Sequence, residues 1–425
     1  MSQNSVGISD ISLYVPRPQI KIETIVQERI RRKPELERSL TRATDTAGQQ
    51  TLRFPDLWED TSTMAAQSTR SLVEQNPDSG IERLRYLTVG TETPIDHSKA
   101  VAAYVEGMLQ DAGIEIPKTI STFQVQHACA GGALAAISVL GLLALSNRPN
   151  ETGLVVCSDV ARYTEESTAE ITQGAGAASI LVENNPKLIE LDLSNMGFSS
   201  ENVDDFFRPI GSVVAKVKGL YSIQCYNSSL ETAFLDHSVR RGMSPADVLR
   251  STDYFVLHTP FRNMPLRAMM KLLGSHLGQS KEEAEAFLTE HAFLQGIDPI
   301  AHIGNTYTAS IFMSLAFLLD EQYRLLGEKI VGKRILLASY GSGNTMAIIS
   351  AVVAKSAPSV LARWRLANLW QTAKPVGMSE YERWLGAPYD RERYAELVES
   401  CAKMPAETFY LSAIREDGYR EYRHT

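Results

Sequence analysis

The sequence predicts an α/β protein with strands layered beneath helices, built from two similar halves in tandem. Three observations carry this expectation. Short β-like runs alternate with helical runs along most of the chain. One order of elements occurs twice: strand, polar residue, helix, turn residue, apolar helix, strand, glycines, strand. The strand-like runs are dense in Val, Ile and Leu with little alternation, as expected of parallel strands covered on both faces.

In the first half, Leu84–Gly90 reads as a strand ending at Thr91-Glu92-Thr93-Pro94, with a helix from Ser98 to Met108. A second run, Ser121–Val125, ends at His127-Ala128-Cys129 and opens a long apolar helix. Strands at Gly153–Asp159 and Gln173–Val182 follow. In the second half, Tyr254–Leu257 ends at His258-Thr259-Pro260-Phe261 and precedes a helix from Pro265 to Leu277. Ile303-Gly304-Asn305 then opens an apolar helix through Thr308 to Leu319. Arg334–Ser339, the Gly341-Ser-Gly343 turn and Ala347–Val353 complete the copy. The halves are assigned to residues 1–205 and 206–425, related by a pseudo-two-fold axis and joining near residues 190–220.

Composition bounds the function. The chain has 425 residues, 44% hydrophobic and 22% charged, with a net charge of −8. This is ordinary globular usage, and it offers no global attraction to nucleic acid or an anionic membrane. Cys129, Cys157, Cys225 and Cys401 are too scattered for a disulfide framework, which fits a reducing cytoplasm. The opening Met1-Ser-Gln-Asn-Ser-Val has no targeting character. The longest apolar stretch, Cys129–Leu145, contains Ser138, is rich in Ala and Gly, and falls short of the ~20 residues of a membrane span. It reads as a buried helix, and the chain as a soluble cytoplasmic protein.

In such sheets reactive residues collect where strands end and helices begin. Glu92, Cys129 and His258 occupy such positions, and Asn305 holds the place of Cys129 in the second half. Cys129 is expected at the first turn of its helix. There the macrodipole favours the nucleophilic thiolate, and backbone amides could serve an oxyanion. The alternative is an inert buried cysteine, which Cys157 fits better. His258 could act as acid, base or donor, or simply satisfy nearby backbone. Glu92 alone would read as a surface carboxylate. The repeat shifts the balance, because it would bring these strand ends together.

Gly174-Ala-Gly176 and Gly341-Ser-Gly343 do not complete a dinucleotide fingerprint and read as tight turns approaching the site. There is no phosphate-binding P-loop, HExxH or CxxC, and the dispersed histidines make a metal site improbable. A basic cluster from Arg29 to Arg42 reads as a solvated helix face. Arg262, Arg267 and Lys271 flank the His258 loop and are candidates for the phosphates of a large carrier.

In order, the chain carries Thr91-Glu92-Thr-Pro-Ile-Asp96-His-Ser-Lys99, Ala128-Cys129, Asp159-Val-Ala-Arg-Tyr163, Gln173-Gly-Ala-Gly-Ala, Asp205-Phe-Phe-Arg-Pro209, His258-Thr-Pro-Phe, Gly304-Asn305-Thr-Tyr307-Thr and Ser339-Tyr-Gly-Ser-Gly343. With the ending Phe409-Tyr-Leu-Ser-Ala-Ile…Tyr419-Arg-Glu-Tyr422, the whole resembles the 3-hydroxy-3-methylglutaryl-CoA (HMG-CoA) synthase family of the thiolase superfamily. The resemblance spans nearly the whole chain and rests on the number and order of its motifs.

The resemblance implies a five-layer thiolase-like fold, a homodimer, and no metal or other cofactor beyond the substrates acetyl-CoA and acetoacetyl-CoA. It implies an acyltransferase that joins acetyl to acetoacetyl-CoA and releases the product by hydrolysis. Cys129 would accept the acetyl group, Glu92 would remove a methyl proton, and His258 with Asn305 would hold the acetoacetyl group. Tyr163, Asp159, Asp205, Tyr307 and Ser339 match positions near the acyl groups. Ala130 stands where the family commonly has Tyr and is expected to open space beside the thioester. Asn263, Pro265 and Leu266 replace polar or basic positions, so carrier contacts are expected to differ. Residues 39–53 have no assigned role.

These departures motivate a rival within the same chemistry, a polyketide β-branching HMG synthase acting on an acyl carrier protein rather than in the mevalonate pathway of isoprenoid biosynthesis. A ketoacyl synthase III-type enzyme shares Cys, His and Asn but does not rely on a carboxylate such as Glu92. A catalytically silent binding protein is the remaining alternative, opposed by the retention of Glu92, Cys129, His258 and Asn305.

Overall fold

The computed structural model describes residues 5–76, 79–146, 148–387, 394–401 and 403–425. Nine strands form its main sheet: β1 (Val6–Tyr14), β2 (Leu84–Gly90), β3 (Ser121–Val125), β4 (Thr152–Ala161), β5 (Gly174–Asn184), β6 (Ile189–Ser200), β7 (Tyr254–Leu257), β8 (Arg334–Gly341) and β9 (Thr345–Val353). Their order is β7-β8-β9-β6-β1-β5-β4-β2-β3. Read outward from the middle, β1-β5-β4-β2 and β6-β9-β8-β7 are the same arrangement. In each, two antiparallel pairings are followed by one parallel pairing. The two arrangements meet where Val6–Ile8 pair with Ile189–Leu191, so β6, which precedes residue 205, joins the strands of the second half.

The expectation of parallel strands is thus corrected to a mixed sheet. Dense Val/Ile/Leu usage reports burial on both faces, and antiparallel strands covered by helices on both sides meet that condition equally well. The layers show it residue by residue. Along β4, Val155 and Cys157 enter a central core, while Leu154 and Val156 face an outer one. Along β8, Ile335 and Leu337 enter the same central core, and Leu336 and Ala338 face another outer one. The outer helices are Thr61–Gln75 and Val101–Asp111 over the first half, and Gly219–Arg240 and Asn263–Leu277 over the second.

The central layer is built from Gly131–Ser146 and Ser310–Leu326, the apolar helices that follow Cys129 and Asn305. Together the layers run helix, sheet, helix, sheet, helix, a thiolase-like five-layer α/β fold. Ala135, Val139, Leu140 and Leu143 of the first central helix are fully buried, which places this apolar stretch in the core. Its far side leaves Leu142 and Leu145 exposed.

Candidate active site

The segment before the first central helix makes a tight turn. Ala128 takes a left-handed backbone (φ 42°), and the amides of Ala130 and Gly131 bond back to the carbonyls of His127 and Ala128 at 3.1 and 3.2 Å. The helix begins at Gly131, so Cys129 precedes its first turn. The helix start lies close on the end of β2. A Cβ on Gly90 would sit 2.5 Å from the Cα of Gly132, so this approach requires glycine.

Glu92 leaves the end of β2 beside Cys129. The Cys129 thiol donates to Glu92 Oε2 over 3.8 Å, and Arg208 donates to Oε1 at 3.0 Å and to the Glu92 carbonyl at 2.6 Å. Burial pushes the Glu92 carboxyl up from 4.5 to about 7; Arg208 opposes this rise and Asp159 adds to it. Burial, followed by the charges of Glu92 and Asp159, also raises the Cys129 thiol well above its ordinary range. The expected thiolate is therefore corrected to a neutral thiol beside a carboxylate. Two nearby carboxylates and desolvation outweigh the helix end, whose field falls off within a turn.

Asp159, at the end of β4, is wholly buried. Its Oδ1 accepts from the Thr91 hydroxyl (2.7 Å), the Glu92 amide (2.9 Å), and the amide and hydroxyl of Thr93 (3.0 and 2.7 Å). It does not line the cavity; it shapes the turn that carries Glu92. His258 directly follows β7, is 2 % exposed and accepts at its carbonyl from the Tyr226 hydroxyl at 3.0 Å. Burial lowers its imidazole to about 3, so the ring is neutral at physiological pH. Asn305 follows Gly304, whose φ of 93° and lack of a Cβ let it pack against the Gln173 carbonyl. Its side-chain oxygen accepts from the Tyr307 amide at 2.9 Å, and its nitrogen donates to the Tyr163 hydroxyl at 3.3 Å.

Cys129, Tyr163, His258, Asn305 and Tyr307 share the wall of one cavity of about 680 Å³, so both halves contribute to it. Glu92 does not line this wall and meets it through Cys129. Other expected site residues lie elsewhere. Ser339 is buried off the cavity wall, with its hydroxyl unpartnered among the described residues. Asp205 accepts from the Tyr340 and Ser222 hydroxyls (both 3.0 Å) and the Gly343 amide (2.9 Å), pinning a loop to the glycine turn. Arg262 is held by Asp298 at 2.7 Å, and Arg267 is exposed outside the cavity. Ala130 is buried off the cavity wall, and its methyl packs against Gly341, where an added Cβ would lie 2.8 Å away.

Three features escaped the sequence reading. Arg208 lies within a quoted motif, but nothing in its spacing pointed to Glu92. The segment left without a role forms the helix Glu37–Ala47, ended by Gly48 in a left-handed cap (φ 68°). Arg38, Arg42, Ala43 and Ala47 of this helix line the cavity. The basic cluster is not one solvated face. Arg29 is 2 % exposed and grips buried Glu170 at 2.8 Å, with Glu165 and Glu382 at 3.3 and 3.2 Å. The grip continues inward. Tyr381 donates to Glu170 (3.2 Å), Gln173 donates to Tyr381 (2.6 Å), and the Tyr163 amide donates to Gln173 (2.7 Å). Among the described residues, no cluster of three or more His, Cys, Asp or Glu could hold a metal ion.

Family models for the N-terminal and C-terminal parts of hydroxymethylglutaryl-coenzyme A synthase match residues 2–187 and 288–425. The hydroxymethylglutaryl-CoA synthase of Enterococcus faecalis is 26% identical over 388 residues, covering 91% of this chain and 93% of that protein. The human mitochondrial enzyme is 28% identical over 353 residues, covering 73% of this chain and 67% of that one. A solved structure of MvaS in complex with 3-hydroxy-3-methylglutaryl coenzyme A matches with a TM-score of 0.86, 30% identity and 99% coverage of both chains. The curacin pathway HMG synthase, solved with holo donor-ACP, shares the fold at a TM-score of 0.82 and 23% identity, covering 99% of this chain and 100% of that one.

Proposed function

The chain belongs to the hydroxymethylglutaryl-CoA synthase family, and from that premise we propose that it condenses acetyl-CoA with acetoacetyl-CoA and hydrolyses the adduct to HMG-CoA. The observation that carries the reading is the Cys129 thiol donating to Glu92 beside a cavity that His258 and Asn305 also line.

The steps follow from those groups. Cys129 sulfur attacks the acetyl carbonyl while its proton passes to Glu92, and CoA leaves as the thiol after taking up a proton. The acetyl group then occupies the sulfur next to the same carboxylate. Glu92 removes a proton from its methyl group, and the resulting carbanion adds to the ketone carbon of acetoacetyl-CoA. The ketone oxygen becomes an alkoxide and takes up a proton. Neutral His258 holds that oxygen as a hydrogen-bond donor, with the Asn305 amide beside it. Water then cleaves the thioester to Cys129, freeing the thiol and the new carboxylate.

No cofactor beyond the thioester substrates is invoked. We place the enzyme in the cytoplasm, where its free cysteines stay reduced, as a homodimer. Exposed Leu142 and Leu145, on the helix beside edge strand β3, supply an apolar face for a second copy. Sedimentation as a monomer would contradict the dimer.

A second reading, with the acyl acceptor on a carrier protein, has one observation in its favour. Arg38 and Arg42 are exposed, line the cavity and make no ion pair among the described residues, and Leu220 beside it is 75 % exposed. Cations and apolar surface at the mouth suit a phosphopantetheine arm on a protein as well as free CoA. Mixing purified protein with acetyl-CoA and acetoacetyl-CoA tests the leading reading. Acetyl-Cys129 and HMG-CoA are expected, and the absence of both would overturn it.

A further inference from the structure

Glu92 is buried, and burial and the nearby Asp159 disfavour its charge. The Cys129 thiol donates to one of its oxygens, and Tyr163 and Tyr307 lie close by. Among the described residues, the cation in contact with it is Arg208. The contact has a definite geometry. One guanidinium nitrogen holds the Glu92 backbone carbonyl, the other holds Oε1, and Oε2 is left facing the sulfur. A carboxylate held at its own backbone and at one oxygen cannot rotate freely.

Arg208 is itself held. Its guanidinium carbon lies 5.9 Å from the Phe206 ring centre and 5.6 Å from that of Tyr307. Three residues earlier, Asp205 is tied to Tyr340, Ser222 and Gly343 of the second half. The loop that delivers Arg208 is therefore anchored where the glycine turn approaches the Cys129 segment.

From this arrangement, and resting on the function proposed above, we infer that Arg208 is a positioning residue for both half-reactions: it occupies Oε1 of Glu92 so that Oε2 alone receives the thiol proton and then the methyl proton. The two protons leave almost the same place in succession, because the acetyl group replaces the thiol hydrogen on the sulfur. A carboxylate free to swing would face the sulfur with either oxygen or neither. The positive charge also favours the ionised form of the base, opposing burial and Asp159.

The test separates charge from geometry. HMG-CoA formation and Cys129 acetylation are measured from pH 5.5 to 9 for wild type, Arg208→Gln and Arg208→Lys. Loss of a cation at this range typically raises a carboxyl by about one unit or more. The acid limb of Arg208→Gln is expected to move up by that amount, with turnover at pH 7 reduced roughly tenfold or more and KM for acetyl-CoA nearly unchanged. Arg208→Lys keeps the charge but not the two-nitrogen grip. It is expected to retain the wild-type limb with lower turnover at every pH. An unmoved limb in Arg208→Gln, or a loss confined to KM or to thermal stability, would overturn the inference and make Arg208 a loop clasp. Wild type that forms no HMG-CoA would instead overturn the functional reading, and would do so before any substitution is made.

Discussion

Oδ2 of Asp159 accepts both the amide and the hydroxyl of Thr308, at 3.1 and 2.5 Å, so a carboxylate of the first half caps the segment before the central helix of the second. Its other oxygen holds the turn of Glu92. Asp159→Asn would point an amide group at donors on one side. A stability loss of about 2–4 kcal/mol is expected, together with loss of condensation. Urea unfolding and product assay check it; an active enzyme of wild-type stability would show that the carboxylate is dispensable.

Glu92 sets the pH dependence of the reaction. A base titrating near 7 makes condensation rise with pH across that value and level off above it. His258, lowered to about 3, contributes no limb between pH 5 and 9. A profile whose acid limb persists in a His258→Gln variant with residual activity fits this assignment; a limb that vanishes with His258 contradicts it.

The same carboxylate weakens the fold. Its folded value of about 7 exceeds the ordinary 4.5, so the folded state retains a proton that the unfolded chain gives up. Stability is therefore lost as pH climbs through that window, by up to about 3 kcal/mol. Glu92→Gln should lack condensation yet unfold at a higher temperature than wild type at pH 8, with the gap closing by pH 5. Equal melting temperatures at pH 8 would refute it.

Arg29 and Glu170 are 2 % and 1 % exposed, and removing one strands the other's charge. Arg29→Met should cost roughly 3–5 kcal/mol, and adding Glu170→Gln should restore much of it. Non-recovery in the double variant would point to lost packing as the cause.

Arg38→Ala and Arg42→Ala should each raise the KM for the thioester severalfold without changing turnover, as phosphate contacts remote from the reacting atoms do. Running acetoacetyl-CoA against an acetoacetyl carrier protein shows which carrier the helix serves. An unchanged KM for both would exclude these arginines from carrier recognition.

Much of the fold was legible because burial leaves local marks. Both apolar central helices, the Gly341-Ser-Gly343 turn and the strand ends at Glu92, Cys129 and His258 were readable from composition and order, whereas Gly174-Ala-Gly176, expected as a second turn, opens strand β5. Strand direction was not, because hydrophobic density records burial and not the partner's orientation. Nor was the state of Cys129. A helix end is visible in sequence, whereas the carboxylates that overrule it arrive from Glu92 and Asp159 across the sheet. Arg29 failed for a similar reason, since its partners Glu165, Glu170 and Glu382 lie far along the chain and no local pattern distinguishes it from Arg31 or Arg32.

By itself the sequence determined the repeat, the layer-forming elements and the chemical kinds at each strand end, because these follow from short-range periodicity and turn chemistry. Only the tertiary structure decided which oxygen of Glu92 meets the sulfur, which arginine holds the other, and which cations reach the cavity. Those are distances between residues remote in the chain, and electrostatics depends on distance and burial, which linear order does not encode.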